Sequence, residues 1–182
     1  MFLDRLLRHN RPLVDAVVTA HQEGRLLANT YVIDLDTVAR NAAYIAEAAR
    51  GHGLDTYVMA KQYGRNPDVT RAAIGAGLGP VVAVDTACLA AATRHGIPVG
   101  HVGHLVQPHR GSEDFVVAAE PEVVTVFSLD AARRIGAAAV RRGGAPVSVL
   151  LRVHGEGDRF YFGHGGGFAA DDVVTAAHAV EA

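Results

Sequence analysis

Apolar positions along the chain follow two rhythms. In the first two dozen residues they recur at helical spacing. Within RPLVDAVVTAHQEG, Leu13, Val14, Val17, Val18 and His21 fall near one face, and Gly24 supplies a stop. The run TYVIDLD at 30–36 is β-branched and aromatic with alternation, which predicts a strand. Asp36 is placed to cap the next helix, TVARNAAYIAEAAR, whose Val38, Ala42, Ile45 and Ala49 share a face. From residue 56 the rhythm changes. Short apolar runs recur at TYVMAK, PVVAVD, GHVGHL, EVVTVFS and VSVLLRVH, each followed by a capping or loop residue and an alanine-rich helical segment. Asn66-Pro67-Asp68 announces one helix with a cap, a proline where no N–H is needed, and an acid in the first turn. Asp85 and Ser128 hold the equivalent place in their units, while Gly96 and Gly143 close two helices.

The unit ends Lys61, Asp85, Leu105, Ser128 and His154 are 24, 20, 23 and 26 residues apart. Strand–helix alternation at that period, with strands apolar enough to be buried on both faces, predicts parallel βα units. An open doubly wound sheet and a closed (β/α)8 barrel share the pattern. The doubly wound form wants a glycine-rich phosphate loop after its first strand, and KQYGRNP is not one. The fold class predicted is therefore α/β: part of a (β/α)8 barrel over residues 28–182, with one extra strand at its start, preceded by a helical arm at 1–27. Five units occupy 56–181, whereas a whole barrel has eight and typically about 250 residues. Five strands would leave two unpaired edges and an exposed apolar face. The expectation is a fragment, or a barrel completed by another segment or chain.

Composition narrows the classes. The 182 residues are 49% hydrophobic and 20% charged with a net charge of −2, giving no reason to expect nucleic acid or an anionic membrane as partner. The single cysteine, Cys88, cannot form an internal disulfide. The terminus MFLDRLLRHN mixes charge into every turn and is not a signal peptide, and no apolar run is long enough to span a bilayer. A cytoplasmic enzyme or binding protein is the default expectation.

Candidate chemistry centres on Lys61, the one lysine beside sixteen arginines. Arginine serves every purely electrostatic role; only lysine offers an amine that can lose its proton and attack a carbonyl. Lys61 ends the first barrel strand after Val58, Met59 and Ala60, and reactive groups of parallel α/β folds gather at such ends. Apolar surroundings would lower its pKa and favour a Schiff base with an aldehyde cofactor. The plainer alternative is a strand-end lysine snorkelling into water.

The run VIDLDTVARNAAYI, then TYVMAKQYGRNP, then AVDTACLAAATRHGIPVGHVGHL resembles the N-terminal domain of the alanine racemase-like enzymes. These are fold-type III proteins that carry pyridoxal 5′-phosphate in a (β/α)8 barrel. MFLDRLLRHN, AKQYGRNP, VGHVGHLVQ and VVTVFSLDAAR are similar to the YhfX-like branch of that group, and the resemblance runs to about residue 170. It implies pyridoxal phosphate as cofactor, Lys61 as the Schiff-base lysine and an acid–base group, and racemisation or epimerisation of an amino acid. It also implies a homodimer or a completing segment, with the remaining phosphate-binding amides and the second acid–base group supplied from outside these residues. Decarboxylation, and non-catalytic binding of the cofactor in its homeostasis, are the alternatives within the group. Outside it stands a cofactor-free interaction module whose open strand edge docks another barrel half.

By the same resemblance, Tyr63 lies near the cofactor, although alanine racemases proper have the aromatic four residues after the lysine rather than two. Arg152 and Arg159 fall where the family has a basic strand residue and an arginine facing the cofactor. Arg159 could hold the phenolate oxygen or a substrate carboxylate in its fork; a solvating role is the alternative for both. His101 and His104, three apart on a strand, are expected on opposite faces, which argues against a shared zinc. His104 would border the cofactor ring and His154 would line the pocket. Asp85 reads as a helix cap, Cys88 as packing, and the glycine run at 163–167 as a turn rather than a phosphate cradle.

Overall fold

The computed structural model describes residues 2–181. The arm is two helices, α1 (Phe2–His9) and α2 (Arg11–Gln22). Asn10 separates them and accepts from the Leu13 N–H at 3.3 Å, an N-cap followed by proline in the first turn. The strand expected at 30–36 does not form. Residues 30–34 are coil, and α3 (Leu35–Gly51) starts at once, with Asp34 rather than Asp36 as its cap. A strand exists only where a neighbour accepts its ladder of hydrogen bonds, and none lies beside this segment among the described residues. Val32 and Ile33 instead line a groove against Leu6 and Leu13 of the arm. Asp34 accepts from the Thr37 N–H at 3.0 Å, the Thr37 hydroxyl at 2.8 Å and the Asn10 amide at 2.5 Å. Those bonds hold its pKa down at about 2, well below the ordinary 3.8.

The sheet is parallel, as the rhythm predicts. β1 (Val81–Ala83), β2 (Val99–Val102), β3 (Val123–Val126) and β4 (Val149–Leu151) lie side by side in chain order. The segment ending at Lys61 runs along the open side of β1 as one bridge, Val58 to Val81. The Val58 N–H donates to Pro80 O and its carbonyl accepts from Val82 N–H, both at 3.0 Å. Helices α4 (Pro67–Gly75), α5 (Thr86–Arg94), α6 (Glu113–Ala118) and α7 (Leu129–Arg141) alternate with the strands. Asn66, Asp85 and Ser128 cap α4, α5 and α7 through their side chains.

The fifth apolar run splits at Arg152. Its N–H donates to Val126 O on one neighbour, and its carbonyl accepts from Phe168 N–H on another. The chain thus passes from β4 to β5 (Val153–His154), which pairs in parallel with β6 (Phe168–Ala169) before α8 (Val173–Glu181). This corrects the count of five units: the fifth strand leads into a loop, and the last helix belongs to a sixth strand. Gly167 makes that pairing possible. Its φ is +124°, and a Cβ would lie 2.6 Å from the Arg152 carbonyl.

The two faces of the sheet differ. Ala83, Val102, Val124 and Val126 face the helices and have no exposed surface; with Leu89, Val116 and Ile135 they form the core. Each such large aliphatic contributes about 1.5–3 kcal/mol by burial. On the other face Thr125 is in register with Leu150, which is 49% exposed. That face is the inner wall of an incomplete barrel.

Candidate functional site at the carboxyl ends of the strands

Because the strands are parallel, their carboxyl ends gather Lys61, Asp85, His104, Phe127 and the Arg152–His154 stretch at one end of the sheet. Lys61 opens a 3-10 turn (Lys61–Tyr63) and is exposed, with Met59 and Ala60 half-buried behind it. Its amine makes no hydrogen bond or ion pair with the described residues. The apolar seat expected around its amine is therefore not built by these residues alone. Tyr63 is engaged elsewhere: its ring packs on the core, its hydroxyl meets Thr70 Oγ1 at 3.0 Å, and burial raises its pKa.

The histidine pair departs from expectation. His101 and His104 come together, ring centroids 5.6 Å apart and nearly perpendicular. The strand ends at Val102, and Gly103, at φ +85°, reverses the chain so that strand alternation no longer applies. A side chain at 103 would meet Pro108 and the Thr125 carbonyl, each at 3.0 Å. His101 is buried on the inner wall, its Nε2 2.6 Å from Thr125 Oγ1, and burial first, then His104, lower its pKa. His104 is exposed above it. In the loop beyond, Gln107 Oε1 is buried without a partner, a spare acceptor beside these rings in sequence.

Arg152 is structural. Its guanidinium lies 4.5 Å from the Phe127 ring centroid and 4.8 Å from that of Phe160, and Nη1 donates to His164 O at 2.6 Å. It pins the loop 155–167 to the sheet. His154 is half-buried with its ring 6.0 Å from Phe160. Arg159 is exposed, and its guanidinium makes no hydrogen bond or ion pair with the described residues. Two glycines of the 163–167 run are accounted for by packing, Gly166 over Phe127 and Gly167 on Arg152. Asp85 caps α5 at 2.7 Å from Cys88 N. Cys88 is buried and also receives the Arg65 Nε–H at 3.1 Å, a contact with no sequence signal.

A residue the sequence reading passed over closes the amino-terminal end of the inner wall. Tyr57 lies across Gly100, its ring 6.2 Å from His101, and its hydroxyl donates to Glu122 Oε2 at 2.5 Å. A Cβ at Gly100 would come within 2.3 Å of that ring. Only the smallest residue admits the crossing.

The groups these residues offer suit the aldehyde end of pyridoxal phosphate: an amine that follows the Val58 bridge, imidazoles that donate or accept, and, in the loop after β5, a guanidinium with no hydrogen bond or ion pair among the described residues. The fold is that of a partial barrel of parallel βα units. Its similarity to known proteins agrees. The chain is 39% identical over 169 residues to the Uncharacterized protein YhfX of Escherichia coli (strain K12), matching 93% of this chain and 43% of that protein. No family model matches the sequence. Among solved structures it superposes on D-threonine aldolase from Filomicrobium marinum with a TM-score of 0.68 at 19% identity, covering 86% of this chain and 41% of the other. The chain thus spans less than half the length of both. No helix among the described residues is long and apolar enough to cross a membrane.

Proposed function

We propose that these residues are the lysine-bearing half of a pyridoxal phosphate-dependent enzyme acting on an amino acid, with a racemase-like proton transfer at Cα. The observation that carries the reading is the position of Lys61. The chain's one lysine follows the segment that bridges β1 in parallel at Val58, at the carboxyl end of the sheet, in a fold shared with an aldolase. The cofactor, when bound, supplies the electron sink that lets a bond to Cα break. Lys61 would capture its aldehyde carbon and then hold or return a proton at Cα. Arg159, whose guanidinium has no partner among the described residues, would clamp a carboxylate or the ring's phenolate oxygen. His104 and His154 would border the ring, with His101 held below by Thr125. Phosphate contacts and a second acid–base group fall to residues outside these units, within the barrel or across a dimer.

The test is hydrogen–deuterium exchange at Cα. A protein extended to the span of the relative, loaded with cofactor, is incubated with enantiopure amino acids in D2O. Deuterium uptake with appearance of the opposite hand supports the reading. Loss of carbon dioxide, or an inert complex, would replace it with decarboxylation or cofactor carriage.

A further inference from the structure

A second hollow opens at the amino ends of the strands, the end opposite Lys61. It holds about 240 Å³ between the end of α3, residues 54–57 and the loop 77–80. That is below the range of drug-sized pockets and suits a single small metabolite. Its walls are fixed. Gly79 N–H donates to Thr56 Oγ1 at 3.0 Å, and a Cβ at Gly79 would lie 2.0 Å from the Thr56 carbonyl, so backbone is packed on backbone. Tyr57 forms another wall, tied to Glu122 at 2.5 Å.

Three charged side chains line this space: Arg50, Asp55 and Glu122. The side chains of Arg50 and Asp55 share the hollow yet make no ion pair or hydrogen bond, with each other or with any other described residue. Elsewhere the arginines facing carboxylates close on them, as Arg141 does on Asp114 at 2.9 Å and Arg110 on Asp130 at 3.1 Å. Opposite charges held apart in one cavity are complementary to a ligand that carries both. The lining has one positive and two negative groups, so the ligand that neutralises it bears one carboxylate and two amines. Leu54 offers an apolar surface for a methylene stem.

We propose that this hollow binds a free basic amino acid, its carboxylate on Arg50 and its two amines on Asp55 and Glu122. The site is separate from Lys61 and does not depend on the reading of that residue.

Isothermal titration with L-lysine as probe tests it, on the wild-type chain and on Arg50→Gln, Asp55→Asn and Lys61→Ala. All three positions are exposed, so folding is preserved, and circular dichroism checks this. Saturable one-to-one binding is expected, weakened at least about tenfold by either charge variant, the loss of one charged hydrogen bond, and unchanged by Lys61→Ala. In the wild type 1,5-diaminopentane, which lacks the carboxylate, should bind about as weakly as L-lysine binds Arg50→Gln. No saturable binding at millimolar probe, or binding indifferent to both charge variants, overturns the proposal. Binding lost in Lys61→Ala moves the ligand to the other end of the sheet and overturns it equally. Amide shifts confined to 50–57 and 77–80 would locate the ligand independently.

Discussion

Gly100→Ala probes the one place where the inner wall depends on a missing side chain. Gly100 lies in β2 and its φ is not in the left-handed region, so alanine adopts the same backbone without strain. Without neighbours the change would stabilise, since glycine in a strand costs roughly 0.5–1 kcal/mol. Here the new Cβ would stand 2.3 Å from Tyr57 Cε1, 2.9 Å from its Cδ1 and 2.6 Å from Pro80 Cγ. The ring must move by more than 1 Å to reach ordinary contact, and its hydroxyl then leaves Glu122, now 2.5 Å away. Overpacking of this kind costs about 1–3 kcal/mol and a lost hydrogen bond to a charged, half-exposed partner about another 1 kcal/mol. For a chain of this size that is a fall in Tm of roughly 4–16 °C. Thermal unfolding of Gly100→Ala, alone and in a Tyr57→Ala background, reads the coupling. Removing the ring should return at least about 1 kcal/mol of the penalty, the remainder belonging to Pro80. A Gly100→Ala chain as stable as wild type, or an equal penalty in both backgrounds, refutes the crossing of Tyr57 over β2.

Three further outcomes are expected. Asp34, whose pKa is depressed to about 2, stabilises α3 fully above the unfolded value of 3.8 and loses that contribution as pH falls towards 2. Asp34→Asn should flatten the decline of helical circular dichroism between those pH values. His101 has the same sign from a different cause: buried and with its pKa lowered, it favours the neutral ring, so stability present above the unfolded pKa of 6.5 diminishes as pH falls below it. His101→Gln, which keeps a donor for Thr125, should remove that part of the slope in urea midpoints measured between pH 7 and roughly 5. Arg152→Ala, by emptying the space between Phe127 and Phe160, should cost roughly 1–2 kcal/mol. It should also open the loop 155–167 to limited proteolysis at the exposed Tyr161 and Phe162.

The parallel βα rhythm was legible because it rests on local chemistry. Asn66, Asp85 and Ser128 cap where their sequence context says they should, and the valine runs that fill the core must be strands buried on both faces. What the pattern could not carry was pairing. TYVIDLD has the residues of a strand and no neighbour to bond among the described residues, so 30–34 are coil and its last two residues open α3. VSVLLRVH looks like one strand and serves two partners, with Arg152 as the corner. The two histidines failed for a related reason: alternation holds only to the last laddered residue, and Gly103 turns the chain one position later. Lys61 could be singled out by composition and by position at a strand end. Its surroundings could not be read, because the groups that would enclose the amine are not its sequence neighbours. Tyr57 over Gly100 needed coordinates, since nothing in either residue announces the other.

The claim everything else leans on is that Lys61 is a reactive amine and not a solvated one. It can be measured by titrating the chain with pyridoxal 5′-phosphate, reducing with borohydride at each concentration, and quantifying the adduct on the peptide spanning 56–67, where no other lysine exists. The account predicts saturable modification of Lys61 with an apparent affinity at least about tenfold above that of Nα-acetyl-lysine amide, about 1.4 kcal/mol of added binding. Modification indistinguishable from the free lysine derivative, in this chain and in a chain extended to the length of its relative, would contradict it.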